Sequence, residues 1–160
     1  MSWTPADIKK LLHEERYQPV SQGRGATDSE ISAAEFALRV SFPLSFKHFL
    51  REIGWVDSPY ISVFGLGEDI HPLPNLTHMT LFWWFEVDED IRLPRHLVPV
   101  VDDGSGNVNC LDVSKMQNSE CPIVFWDHES FEGANQVPTL VGPDFCTWLV
   151  NEIRQLGLGS

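Results

Sequence analysis

The run Leu97-Val98-Pro99-Val100-Val101-Asp102-Asp103-Gly104-Ser105-Gly106-Asn107-Val108-Asn109-Cys110-Leu111-Asp112-Val113 decides how the chain is read. Two apolar segments, 97–101 and 108–113, flank a loop made only of Asp, Gly, Ser and Asn. The glycines permit positive φ and the Asp and Asn side chains cap nearby backbone groups, which is hairpin-loop chemistry. Ile123 to Trp126 is a third apolar run beyond another polar turn, and these three are expected to be the central strands of a sheet.

Working outward, Tyr60, Ile61, Val63 and Phe64 predict a short strand ended by Gly65 and Gly67. Toward the amino terminus the signals are helical. Thr4-Pro5-x-Asp7 is a helix start, followed by an apolar stripe at Ile8, Leu11 and Leu12. Thr27-Asp-Ser-Glu30 reads as a capping box opening a helix from about Asp28 to Arg39, with Ile31, Ala34 and Leu38 inward and Phe42-Pro43 as its break. Phe46, Phe49, Leu50 and Ile53 recur at helical spacing before Gly54, a left-handed cap. Leu76, Met79, Thr80, Trp83 and Val87 trace another helical stripe, although Leu81, Phe82, Trp84 and Phe85 make the opposite side apolar too. Phe145, Trp148, Leu149, Ile153 and Leu156 predict a last helix ending at Gly157. No repeat or low-complexity linker divides the chain, so residues 1–160 are expected to form a single α+β domain.

With 42% hydrophobic and 21% charged residues in 160, the composition is that of one soluble domain. A chain of this size buries roughly 70% of its unfolded surface, so neither a metal nor a disulfide is required for stability. Cys110, Cys121 and Cys146 are odd in number and widely spaced, which fits a reducing cytoplasm. Met1 to Tyr17 lacks the apolar run of a signal peptide, and Leu81 to Phe85 falls far short of the roughly 20 residues of a membrane span. The net charge of −12 repels phosphate backbones and anionic lipid, which disfavours nucleic acid and membrane as direct partners. That charge is uneven: residues 1–50 carry 6 basic and 6 acidic side chains, residues 51–160 carry 5 and 17.

Catalysis finds little footing. Asp102 to Asn107 fails the arithmetic of a calcium loop, since Asn107 stands where the sixth-position Gly belongs and Val113 where the twelfth-position Glu belongs. There is no nucleophile elbow and no phosphate-cradling loop, and Cys110 sits beside Asp112, where a thiolate is disfavoured. Asp127, His128 and Glu129 gather two carboxylates and an imidazole, but on a continuing strand Asp127 and Glu129 share one face and His128 the other. A hydrolase built on them therefore stays a minor alternative. No cofactor, metal site or catalytic residue is expected.

The surface that invites a partner is aromatic and acidic. Trp83 and Trp84 precede Glu86, Asp88, Glu89 and Asp90, with Asp102, Asp103, Asp127 and Glu129 adding to the same negative field. A large ring at small entropic cost, rimmed by carboxylates, is the pattern expected of an anchor for a basic protein. The competing reading has Trp83 and Phe85 in the core and the acids merely solvating turns.

Two ordered signatures carry a family resemblance. The first is Ile31 and Glu35 on a capped helix, then Phe42-Pro43-x-x-Phe46-Lys47-x-Phe49-Leu50 and Gly54. The second is Leu93-Pro94, Leu97-Val98-Pro99-Val100, Asp103-Gly-Ser-Gly106, Cys110-Leu111-Asp112 and Val124-x-Trp126-x-His128-Glu129. Together they span most of the chain, which resembles the SUKH superfamily. The resemblance implies a curved, mainly antiparallel sheet flanked by amino-terminal helices and a carboxy-terminal helix, without catalytic residues. It also implies a cytoplasmic immunity protein that binds and neutralises a cognate toxin, often a nuclease. A monomer is favoured over a homodimer. The alternative role is a non-catalytic regulator or scaffold of the cell-wall-assembly type. The Phe82-Trp-Trp-Phe85 run and the early extra helix depart from the usual pattern.

Overall fold

The computed structural model describes residues 3–70, 75–130, 132 and 135–158. Its helices are α1 (Pro5–Leu12), α2 (Asp28–Leu38), α3 (Leu44–Glu52), α4 (Leu76–Leu81) and α5 (Phe145–Leu158). Its strands are β1 (Ser21–Gln22), β2 (Val56–Asp57), β3 (Ser62–Val63), β4 (Leu97–Asp102), β5 (Val108–Asp112), β6 (Ile123–Trp126) and β7 (Thr139–Gly142).

Side-chain caps start the first two helices where expected. Thr4 Oγ1 accepts from the Asp7 N–H at 3.3 Å while Asp7 Oδ2 accepts from the Thr4 N–H at 2.9 Å. Thr27 and Glu30 repeat this reciprocal pattern at 3.1 and 3.0 Å. Helix α2 stops one residue before expected because Arg39 adopts the left-handed conformation, φ 56°. Helix α3 closes through Gly54, φ +89°, whose N–H donates to the Phe49 carbonyl at 3.0 Å. The last helix runs through Gly157 to Leu158 rather than ending at the glycine.

All seven strands pair antiparallel in sequence order, β1 to β7. The sheet is open, with β1 and β7 as its two edges, and this corrects the expectation of a curved sheet. Strands β1 to β3 are two residues each, and a single pair, Val63 with Val101, joins β3 to β4. Strands this short leave little length over which curl can accumulate. The predicted central hairpin is present, with Leu97 opposite Asp112 and Asp102 opposite Val108. Its register slips between Pro99 and Val101, where the proline has no N–H to give the ladder.

Every residue from Leu97 to Val101 is buried, so β4 is covered on both faces, as its unbroken apolar run implies. Helices α3 and α5 meet through rings: Phe145 lies 4.8 Å from Phe46 and 5.0 Å from Phe49, centroid to centroid. The extra helix α1 packs on the same pair, burying Ile8, Leu11 and Leu12. Arg154 of α5 stacks on Trp3 at 4.4 Å, tying the chain start to the last helix.

Candidate functional site

The antiparallel order of β3, β4, β5 and β6 fixes which loops are neighbours. The turn before β3 (residues 58–61), the loop between β4 and β5 (103–107) and the segment after β6 (from 127) all lie at one end of the sheet. This brings Asp102, Asp103, Asp127 and Glu129 together.

Each loop is set by its own acids. Asp102 Oδ1 accepts from the Gly104 N–H at 2.7 Å, and Asp103 Oδ1 accepts from the Ser105 and Asn107 N–H groups at 2.8 and 3.2 Å. Gly104 and Gly106 supply φ of +82° and +92°. Strand β6 stops at Trp126 because Asp127 turns the chain: its Oδ1 accepts from the Glu129 N–H at 2.9 Å, and its own N–H donates to Gln136 Oε1 at 3.2 Å. Asn107 Oδ1 locks the two loops together, receiving the His128 N–H at 3.1 Å with His128 Nδ1 at 2.7 Å. Among the described residues His128 is thus a brace between loops, its Nε2 only 3.8 Å from a Glu129 oxygen. The three residues considered for hydrolysis take local structural bonds instead of converging on a common point.

The second acidic group lies elsewhere. Leu93 donates its N–H to the Trp83 carbonyl at 3.1 Å and Trp84 Nε1 donates to the Leu97 carbonyl at 2.9 Å, which ties the 83–93 segment to the start of β4. Asp102 ends the same strand, five residues further on and about 16 Å away at 3.3 Å per residue. Glu86, Asp88, Glu89 and Asp90, all exposed, therefore belong to a separate patch rather than a continuous acidic surface.

Trp83 and Trp84 are 5% and 6% exposed, which corrects the expectation of an exposed tryptophan anchor. The physical reason is a π-helical turn over Phe82–Glu86. Its wider turn breaks the 3.6-residue phase, bringing Trp84 inward beside Trp83 and leaving Phe85 out. Phe85 is 46% exposed, its ring capped by the Arg95 guanidinium at 4.7 Å, and Phe82 is 37% exposed. The exposed aromatic surface next to Glu86 is phenylalanine.

All three cysteines are free and buried. Burial pushes the Cys110 thiol well above its ordinary range, with Asp112 adding to the shift. Burial likewise pushes Cys121 and Cys146 up to about 12, again helped by neighbouring carboxylates. A thiol held protonated in the interior is a small hydrophobe. The expected result at pH 8 is negligible reaction of all three with a disulfide reagent such as DTNB until denaturant is added, after which three equivalents react. Rapid native labelling of any one would show that its surroundings open readily.

Among the described residues no group of three or more His, Cys, Asp or Glu is placed to hold a metal ion, and no helix is long and apolar enough to cross a membrane. Helices flanking an open antiparallel sheet, with polar loops gathered at one end, define an α+β domain. The family model described as SUKH_5: SMI1-KNR4 cell-wall matches residues 7–154, and the chain belongs to that family. Members are typically non-catalytic, and membership supports a toxin-immunity-type role at the family level, with a cognate toxin as partner.

Proposed function

We propose that this chain is a monomeric cytoplasmic immunity protein that neutralises a basic toxin, in the simplest case a nuclease, by covering its working surface. The observation that carries this reading is the meeting of Asp102, Asp103, Asp127 and Glu129 on adjoining loops of a chain whose net −12 lies entirely in residues 51–160. Carboxylates on loops held by their own hydrogen bonds and by the Asn107–His128 brace present a fixed negative field, the arrangement that steers a cationic protein into register. A standard interface buries about 1,600 Å² in total, which such a loop end and its flanks can contribute to without a deep pocket. Phe82, Phe85 and the Glu86–Asp90 segment form a second, peripheral contact in this reading.

The test is co-purification with the product of the adjoining gene, followed by stopped-flow association across a salt series. The rate constant is expected to fall at least about tenfold between 0.01 and 1 M salt, as the Debye length shrinks from about 30 to about 3 Å. A flat series would remove electrostatic docking.

The family's own description favours a second reading, a regulator or scaffold of cell-wall assembly that opposes no toxin. Capture of an endogenous cell-wall-synthesis protein, with no toxin gene beside the locus, would select it.

A further inference from the structure

We propose that the groove between the turn before β3, the β4–β5 loop and the second half of α5 is a receptor for one arginine side chain of the protein partner. The groove holds about 310 Å³, near the lower limit of small-ligand sites and roomy for a single long side chain. Its walls are apolar at Tyr60, Ile61 and Leu156, and acidic at Asp102, Asp103 and Glu152; among the described residues no lysine, arginine or histidine lines it. This inference rests on the partner being a basic protein, and it names where such a partner would be gripped.

The occupant follows from the chemistry. Asp102 and Asp103 each spend Oδ1 on loop N–H groups, leaving Oδ2 without a protein partner among the described residues. Glu152 makes no ion pair or hydrogen bond there, and partial burial raises its carboxyl above the usual range. Tyr60 is 54% exposed, on a turn made rigid by Ser58, whose Oγ accepts from the Tyr60 and Ile61 N–H groups and donates to the Ile61 carbonyl. Elsewhere this fold covers rings with guanidinium groups, Arg16 on Tyr17, Arg95 on Phe85 and Arg154 on Trp3, at 4.4 to 4.8 Å. Among the described residues Tyr60 carries none. A planar cation that stacks on a ring while its edge meets carboxylates is arginine rather than lysine. An apolar side chain would leave the acids unmatched, and a second copy of this −12 chain would bring like charge.

The test uses the full chain, labelled with ¹⁵N, titrated with N-acetyl-arginine amide and, separately, with its neutral isostere N-acetyl-citrulline amide. Saturable shifts at Tyr60, Ile61, Asp103, Gly104 and Glu152 are expected for arginine and none for citrulline. Tyr60→Ala and Glu152→Gln should each weaken arginine binding about fivefold, the scale of one lost cation–π contact or charge-assisted bond. Glu152→Gln removes a charge that burial disfavours, so at neutral pH this variant remains at least as stable as the parent. Non-saturating shifts spread over Glu86 to Asp90 as well, or unchanged binding in both variants, would overturn the proposal. If the co-purified partner still associates in a salt-sensitive way while arginine amide ignores the groove, the groove fails and the immunity reading stands. If arginine amide seats but no basic partner is ever captured, the immunity reading fails instead.

Discussion

Gly65→Ala is expected to leave little folded protein in the absence of denaturant. Residues 54–55 and 65–66 cross backbone to backbone, and a Cβ on Gly65 would be driven into the Gly54 carbonyl oxygen, with the Gly54 carbonyl carbon at 2.7 Å and Trp55 Cα at 3.0 Å. Neither obstacle is a side chain that can swing aside. The Gly54 oxygen accepts from the Leu66 N–H at 3.1 Å, and the Gly65 oxygen accepts from the Leu76 N–H at 2.8 Å, so separating the two segments breaks the first bond and pulls on the second, which attaches α4. Gly54 cannot retreat either, because its φ of +89° and its bond to Phe49 close helix α3. Backbone displacement with lost hydrogen bonds belongs to the rare class costing more than about 4 kcal/mol, a large share of the 5–15 kcal/mol that holds a typical domain together. Gly104→Ala is the control: its φ is +82°, but a Cβ there meets nothing within 4 Å. The expected cost is then conformational only, about 1–2 kcal/mol. Urea titration reads both: a lowered midpoint is expected for Gly104→Ala and no cooperative transition for Gly65→Ala. Equal midpoints would show that the crossing opens without penalty and that the close approach does not hold α4 in place.

The contrast between these glycines shows what a sequence makes legible here. Gly104 declares itself, because Asp, Ser and Asn around it spell a loop, and the loop is where it was expected. Gly65 reads only as a strand terminator, since its partner is a backbone eleven residues upstream whose approach no side-chain pattern encodes. The same division runs through the fold. Thr4 with Asp7 and Thr27 with Glu30 act within one turn, so spacing alone reveals them. The β4–β5 hairpin is likewise local. Strands β1 and β2 have two residues each, too few for any period, and β1 opens the polar, glycine-rich stretch Ser21-Gln-Gly-Arg-Gly-Ala26, which carries no strand signal. Strand β7 escapes for a different reason: Thr139, Leu140 and Val141 are all exposed at a sheet edge, so burial leaves no alternation. At the candidate site the acids were identifiable by charge, but their division between the two ends of β4 depends on strand pairing. The inward turn of Trp84 depends on a π-helical turn that a 3.6-residue wheel cannot represent. The sequence marks Tyr60 only as strand, although the structure places it on a turn and the groove sets its exposed ring among three carboxylates.

Neutralising Asp102, Asp103, Asp127 and Glu129 together is expected to slow partner association about tenfold or more at about 0.1 M salt, whereas neutralising Glu86, Asp88, Glu89 and Asp90 should change it less than about threefold. Both sets remove four charges and take the chain from −12 to −8, so any difference between them reports position rather than total charge. Amides are the right replacements. Asp102, Asp103 and Asp127 each use one oxygen to accept backbone N–H groups, and Asn retains that acceptor where Lys would forfeit it and loosen the loop. Steering depends on charges within about a Debye length of the incoming surface, about 10 Å at 0.1 M salt, while β4 separates the two patches by about one and a half times that distance. Only the set at the contact should therefore dominate the encounter rate, and its effect should fade in high salt along with the wild-type rate. Stopped-flow mixing of each variant with the captured partner decides the matter. Equal slowing by both sets would mean that a diffuse field does the attracting, and a larger effect from Glu86 to Asp90 would move the interface to the Phe82 and Phe85 end of the molecule.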